Sequence, residues 1–143
     1  MLPLILIVDD EEEMLDFIVR TLKIKYRVLK ANDGPIALEI LEHEAVQLII
    51  SDLMMPGMDG FELCRRIKST FDYSHIPVIL LTAKNTIQSK VQGLEIGADA
   101  YIEKPFLKEH LFAQIASLLS NRSMVKDFYA RDRKSTRLNS SHQ

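Results

Sequence analysis

The stretch Leu4-Ile5-Leu6-Ile7-Val8-Asp9-Asp10-Glu11-Glu12-Glu13 sets five apolar residues directly against five acids. An unbroken apolar run of that length suits a strand buried on both faces. Burial on both faces is the mark of a parallel sheet covered by helices. The acids then stand at the carboxyl end of a core strand, where open α/β sheets hold their ligands.

Working outward, apolar runs alternate with helical periods. Met14, Leu15, Ile18, Val19 and Leu22 recur at helical spacing. Tyr26–Ala31 half-alternates, as an edge strand does. Asn32-Asp33-Gly34-Pro35 is a turn into a helix lined by Ala37, Leu38, Leu41 and Ala45, with Pro in its permitted first turn. Val46–Ser51 reads as a second buried strand and Pro56–Gly60 as a loop. A helix with Phe61, Cys64 and Ile67 inward comes next, and then the apolar strand Ile76–Thr82. The spacing predicts a fourth helix, capped by Asn85 or Thr86, with Ile87, Val91 and Leu94 inward. A short strand, Ala100–Glu103, precedes a last helix carrying Leu107, Leu111, Phe112, Ile115, Leu118 and Leu119. Five strands alternating with five helices imply an α/β doubly wound parallel sheet with right-handed crossovers.

The 143 residues suit one domain, and 47% hydrophobic with 27% charged residues is the balance of a soluble globule. Residues 1–121 carry the α/β pattern. Residues 122–132 read as a helix extension or the start of a linker, and 133–143 as a disordered, vector-derived tail. Cys64 is the one cysteine, which excludes an internal disulfide and a four-cysteine zinc site. A net charge of −2 points to no nucleic acid, and no apolar run approaches the roughly 18 residues of a membrane span. These features fit a cytoplasmic protein, or the cytoplasmic part of a membrane-anchored one. P-loop, GxGxxG, GxSxG and HExxH patterns are absent.

The strand ends carry the chemistry. The first strand ends in Asp9-Asp10, the third in Asp52, the fourth in Thr82 and the fifth in Lys104. A parallel sheet gathers these groups at one rim. Two carboxylates about 4 Å apart repel by roughly 4 kcal/mol at an effective dielectric near 20. A third carboxylate adds to the cost, so a cation belongs there. Mg²⁺ takes one or two carboxylates and leaves room for phosphate oxygens. Lys104 is a point-charge phosphate binder, and Thr82 can donate to a phosphoryl oxygen. A carboxylate can itself be the nucleophile, giving an aspartyl phosphate. Taken singly, each group has a plainer role: Asp10 as a helix cap, Glu11–Glu13 on a helix dipole, Tyr101 in a core. His43, His75 and His110 lack metal spacing, Cys64 reads as a core thiol, and Met54, Met55 and Met58 as packing residues.

Four segments together resemble the receiver domain of two-component response regulators. They are Val8-Asp9-Asp10, Ser51–Gly60, Leu81-Thr82-Ala83 and Tyr101-Ile102-Glu103-Lys104-Pro105-Phe106, in order across residues 4 to about 120. The resemblance implies a flavodoxin-like (βα)5 fold with strand order 2-1-3-4-5. It implies Asp52 as phosphoacceptor, with Mg²⁺ on Asp9, Asp10, Asp52 and the backbone carbonyl of Met54. Thr82, Ala83 and Lys104 would meet the phosphoryl group, Tyr101 would swing inward, and Lys104-Pro105 would be cis. The implied partner is a histidine kinase phosphodonor domain, with no nucleic-acid or membrane contact by this segment. Gly93 weakens the fourth helix by up to about 1 kcal/mol, which marks it as the mobile part.

Asn85–Val91 and Glu103–Phe106 resemble receivers inside hybrid chains, which carry a sensor kinase before the receiver and an AraC-type helix-turn-helix after it. The chain would then be an excised fragment. A phosphorylation-dependent dimer through the last two helices is less well supported: Ala100 stands where a second acid is usual, and Leu107–Leu119 holds no arginine. The alternatives are a free-standing receiver and, more distantly, a Mg²⁺-dependent aspartyl-phosphate phosphatase. The phosphatase would need a DxDx[TV] motif at the end of strand one, and Asp9-Asp10-Glu11-Glu12 lacks it. A flavodoxin-like cofactor binder fails because the acidic loop after strand one would repel phosphate.

Overall fold

A computed structural model describes residues 1–83 and 87–122. The expected cap at Asn85 or Thr86, residues 123–132 of the expected extension or linker, and the tail lie outside the described residues. Five parallel strands, β1 (Leu4–Val8), β2 (Arg27–Ala31), β3 (Leu48–Asp52), β4 (Val78–Thr82) and β5 (Ala100–Glu103), pair in the order β2-β1-β3-β4-β5. Helices α1 (Glu12–Leu22), α2 (Gly34–His43), α3 (Gly60–Ser69) and α4 (Ile87–Ile96) connect them, and α5 begins at residue 108. The strand order matches the doubly wound expectation. Its switch point lies between β1 and β3.

Every residue of β1, β3 and β4 is buried, because each strand has two faces to satisfy. Leu4, Leu6, Val8, Ile49, Val78 and Leu80 point to the face covered by α2, α3 and α4. Ile5, Ile7, Leu48, Ile50, Ile79 and Leu81 point to the other, packed on Leu15, Ile18 and Leu22 of α1 and on Leu111 and Ile115 of α5. A fully buried aliphatic side chain contributes about 1.5–3 kcal/mol, so these two layers dominate stability. β2 is a half-exposed edge strand, with Arg27 and Lys30 facing solvent, and charge on an edge discourages pairing with other chains.

Several local expectations change. β3 starts two residues later than expected and includes Asp52 itself, so the carboxylate is set by sheet geometry rather than by a loop. Ala45 lies beyond the end of α2 and is exposed, and Leu107 precedes the first turn of α5 and is exposed too. The largest correction concerns α4. Ile87, Val91 and Leu94 are 82%, 46% and 65% exposed, whereas Ser89 and Gly93 are buried. Small residues let the helix approach the sheet closely, and that approach turns the larger apolar face outward.

Lys68, near the end of α3, ties the lower part of this region together. Its ammonium donates to the Ile76 carbonyl at 2.7 Å and to Asp99 Oδ2 at 2.9 Å. The same Asp99 oxygen accepts from Val78 N–H at 2.8 Å. The entry to β4 and the turn before β5 therefore share one clamp.

Candidate functional site

Parallel register carries the ends of β1, β3, β4 and β5 to one rim. Asp9 follows Val8 and is buried, its amide held by the Ala31 carbonyl at 3.2 Å. Its Oδ1 accepts from Glu11 N–H at 2.9 Å, which orients the carboxylate at the start of α1. Asp10 beside it is exposed. Asp52 ends β3 and is buried, and Thr82 ends β4 and is fully buried. Lys104 follows β5, with its amide donating to the Thr82 carbonyl at 2.7 Å. Its Nζ lies 3.0 Å from Asp52 Oδ1 and 3.5 Å from Asp9 Oδ2. The Lys104–Pro105 peptide is cis.

One carboxylate oxygen from each of Asp9, Asp10 and Asp52 lies within 4.8 Å of the other two. Among the described residues, one ammonium, that of Lys104, is paired with two of these three carboxylates. Burial pushes the Asp52 carboxyl above its ordinary range, the Lys104 hydrogen bond and charge pull it back, and the neighbouring Asp9 and Asp10 charges push it further up. The net direction is upward, with burial the largest cause, so Lys104 alone does not offset burial and the two neighbouring charges together. The set of hard oxygen donors suits a divalent cation of the Mg²⁺ kind, and a cation there would relieve that imbalance.

The loop from residue 53 to 59 closes beside Asp52. Gly60 N–H donates to the Leu53 carbonyl at 2.8 Å, and Asp59 Oδ1 caps α3 through Glu62 N–H at 2.9 Å. The Met54 side chain is 59% exposed. A Cβ on Gly60 would fall 2.5 Å from the Asp52 carbonyl oxygen and 2.8 Å from Leu53 Cα. Both neighbours are backbone and cannot swing away. Gly60→Ala is expected to cost about 1–3 kcal/mol by overpacking. It should also weaken divalent-ion affinity, because the displaced backbone carries Asp52. Urea unfolding with a Mg²⁺ titration checks both, and unchanged values for both would show that the close approach is relaxed in solution.

The structure thus brings together Asp9, Asp10, Asp52, Thr82 and Lys104, with Ala83 exposed at the rim. Tyr101 lies on β5, two strands from Asp52, partly buried and hydrogen-bonded to Ser89 of α4. Sequence reasoning missed Ser89. A lone serine in a helix carries no signal of its own, and its partner is twelve positions away. Cys64 is buried in the α3 core, where burial first, and Asp99 in part, push its thiol up to about 11 despite Lys68. Among the described residues no helix is long and apolar enough to cross a membrane.

A family model described as "Response regulator receiver domain" matches residues 5–116. "Histidine kinase P4" of Formosa agariphila is 45% identical over 122 residues, which is 85% of this chain and 9% of that protein. "Response regulator MprA" of Mycobacterium ulcerans is 39% identical over 129 residues, 90% of this chain and 54% of that protein. The chain therefore spans about half the length, or much less, of these relatives. Among solved structures, the signal receiver domain of a signal transduction histidine kinase from Syntrophus aciditrophicus superposes with a TM-score of 0.77 at 38% identity. That match covers 83% of this chain and 91% of the other.

Proposed function

This chain belongs to the response regulator receiver family, and we propose that it accepts a phosphoryl group from a kinase phosphohistidine onto Asp52. An Asp52 oxygen attacks phosphorus, the O–P bond forms, and the N–P bond breaks. The electron pair returns to the imidazole, which takes up a proton. Asp9, Asp10 and Asp52, with the Met54 carbonyl, would hold Mg²⁺, whose bound charge offsets that of the phosphoryl oxygens. Lys104 already reaches Asp52 and is placed to follow the charge onto the phosphoryl group. The Thr82 hydroxyl, at the end of the neighbouring strand, would be a further donor, with the exposed Ala83 next to it in the chain. Water later attacks the same phosphorus and restores the carboxylate.

The observation that carries this reading is the convergence of β1, β3 and β5 on Lys104, with ion pairs to both Asp9 and Asp52. A phosphoryl group adds about −1.5 to −2 charge. Its arrival reorganises Lys104 and Thr82, and Tyr101 beside α4 is the side chain positioned to report it. A full population switch from 1:99 to 99:1 takes about 5.5 kcal/mol, a scale that a few charge-assisted contacts approach. Incubation with Mg²⁺ and acetyl phosphate, read by intact mass, tests the reading. One labile phosphoryl group is expected on Asp52 and none after chelation; a group mapped to another residue would overturn it.

We place the domain within a hybrid sensor kinase and regulator chain that controls transcription. The 45% identity to a short part of a histidine kinase supports this over a free-standing regulator. The site then lies on the cytoplasmic side, and its phosphodonor belongs to the same parent chain or to a partner kinase. Any phosphorylation-dependent dimer would use a surface other than the arginine-poor last helix. The flanking coding sequence of the parent gene decides between the two architectures.

A further inference from the structure

Helix α4 meets the sheet through its two smallest residues, Ser89 and Gly93, and both of them face Tyr101. Ser89 is 4% exposed, and its hydroxyl is hydrogen-bonded to the Tyr101 phenol. A Cβ on Gly93 would lie 3.4 Å from Tyr101 Cδ2, 3.5 Å from Leu80 Cδ1 and 3.6 Å from Phe61 Cε1. The ring is thus anchored at its polar tip by Ser89 and rests along its edge on the bare backbone of Gly93. The ring itself remains only partly buried against the core.

We propose that Ser89 and Gly93 form a seat that holds Tyr101 in its resting position, and that the strength of this seat sets how readily the domain is phosphorylated. Ser89 is then a positioning residue that acts through Tyr101. The inference rests on the reading of Tyr101 as the switch side chain. Two opposite effects follow. Ser89→Ala removes the anchor, so the resting state loses one net hydrogen bond and the active population rises roughly two- to tenfold. Gly93→Ala adds a methyl group at ordinary contact distance from the ring, and alanine also strengthens the helix. The seat becomes firmer and phosphorylation slows. Tyr101→Phe deletes the same hydrogen bond from the other side. Its effect should match Ser89→Ala, and the double variant should add nothing further.

The experiment has two arms on the full chain. The first measures the phosphorylation rate with acetyl phosphate and Mg²⁺ for wild type, Ser89→Ala, Gly93→Ala, Tyr101→Phe and the double variant. The second follows the ¹³C-labelled Tyr101 ring by NMR, with and without Mg²⁺ and beryllium fluoride as a phosphoryl mimic. Without the mimic, the Ser89→Ala ring signal is expected to move toward the position that wild type reaches with it. The rate should rise, while Gly93→Ala moves the rate the other way. An unmoved ring signal and wild-type rates in a folded Ser89→Ala protein overturn the seat, while wild-type phosphorylation leaves the wider reading standing. If wild type takes no phosphoryl group, the wider reading fails by itself. The mimic-free ring signal of Ser89→Ala against wild type still decides whether Ser89 holds the tyrosine.

Discussion

Asp52→Asn is expected to accept no phosphoryl group from acetyl phosphate and yet to melt higher than wild type when divalent cations are chelated. The first half follows from chemistry: an amide is no nucleophile toward phosphorus, and no other carboxylate of the cluster is both buried at a strand end and 3.0 Å from Lys104. The second half follows chiefly from burial of the Asp52 charge. Burial raises the Asp52 carboxyl, the Lys104 hydrogen bond and charge lower it in part, Asp9 and Asp10 add to the rise, and the net direction is upward. The native state therefore holds a proton on Asp52 more tightly than the unfolded chain does. That contribution to stability is fully present below the unfolded value and is lost as pH rises through the folded one. At neutral pH the ionised Asp52 is a net cost, and its neutral isostere removes it. A gain on the order of 1 kcal/mol would raise the melting temperature by about 3–5 °C in a domain of this size. With saturating Mg²⁺ the order should reverse, because binding to the native state stabilises wild type and much less the variant. Thermal melts of both proteins, with chelator and with Mg²⁺, check it. A variant that melts below wild type in chelator would mean that Lys104 already balances the cluster.

The same physics decides how much of the molecule could be read from its sequence. The runs at Leu4–Val8 and Val78–Leu81 were legible because a strand buried on both faces leaves little room for polar residues before its carboxyl end. Asp9, Asp52, Thr82 and Lys104 were legible because they interrupt apolar strands at equivalent ends, and a parallel sheet converts equivalent ends into neighbours. Helix α4 was not legible. Its apolar residues Ile87, Val91 and Leu94 and its small residues Ser89 and Gly93 both recur at helical spacing, on opposite faces. Periodicity finds the helix but does not say which face meets the sheet. Close approach to Leu80 and Tyr101 decided that, and it is a tertiary fact. The Lys68–Asp99 pair was hidden for a similar reason, since its partners are 31 positions apart and either residue alone reads as a solvated charge.

Lys104→Met should be the most destabilising single change at this rim, and the loss should depend on both metal and pH. The ammonium is mostly buried, paired at 3.0 Å with Asp52 and 3.5 Å with Asp9. Methionine keeps the stem's packing volume and deletes the charge. Two buried carboxylates then share the cluster with Asp10, and among the described residues no ammonium is paired with them. Removing one partner of a buried ion pair generally costs about 3–5 kcal/mol, and roughly 3 kcal/mol is expected here because Asp10 and the cleft mouth are open to water. Mg²⁺ supplies the missing positive charge at the same carboxylates. At about 100 times its dissociation constant, it should recover about 2.7 kcal/mol. Protonation gives a second route to relief: without Lys104 the Asp52 carboxyl rises further, so mild acid neutralises it and the deficit against wild type narrows as pH falls. Phosphoryl transfer should stay slow even when metal restores stability, because the metal cannot replace the donor that tracks the phosphoryl oxygens. A loss on the order of 10²-fold is the usual scale for such a donor. Urea unfolding at neutral and mildly acidic pH, each with chelator and with Mg²⁺, separates these effects. Equal stability of variant and wild type in chelator at neutral pH would show that the three carboxylates do not share one field, and the proposed phosphoacceptor site would then lose its electrostatic basis.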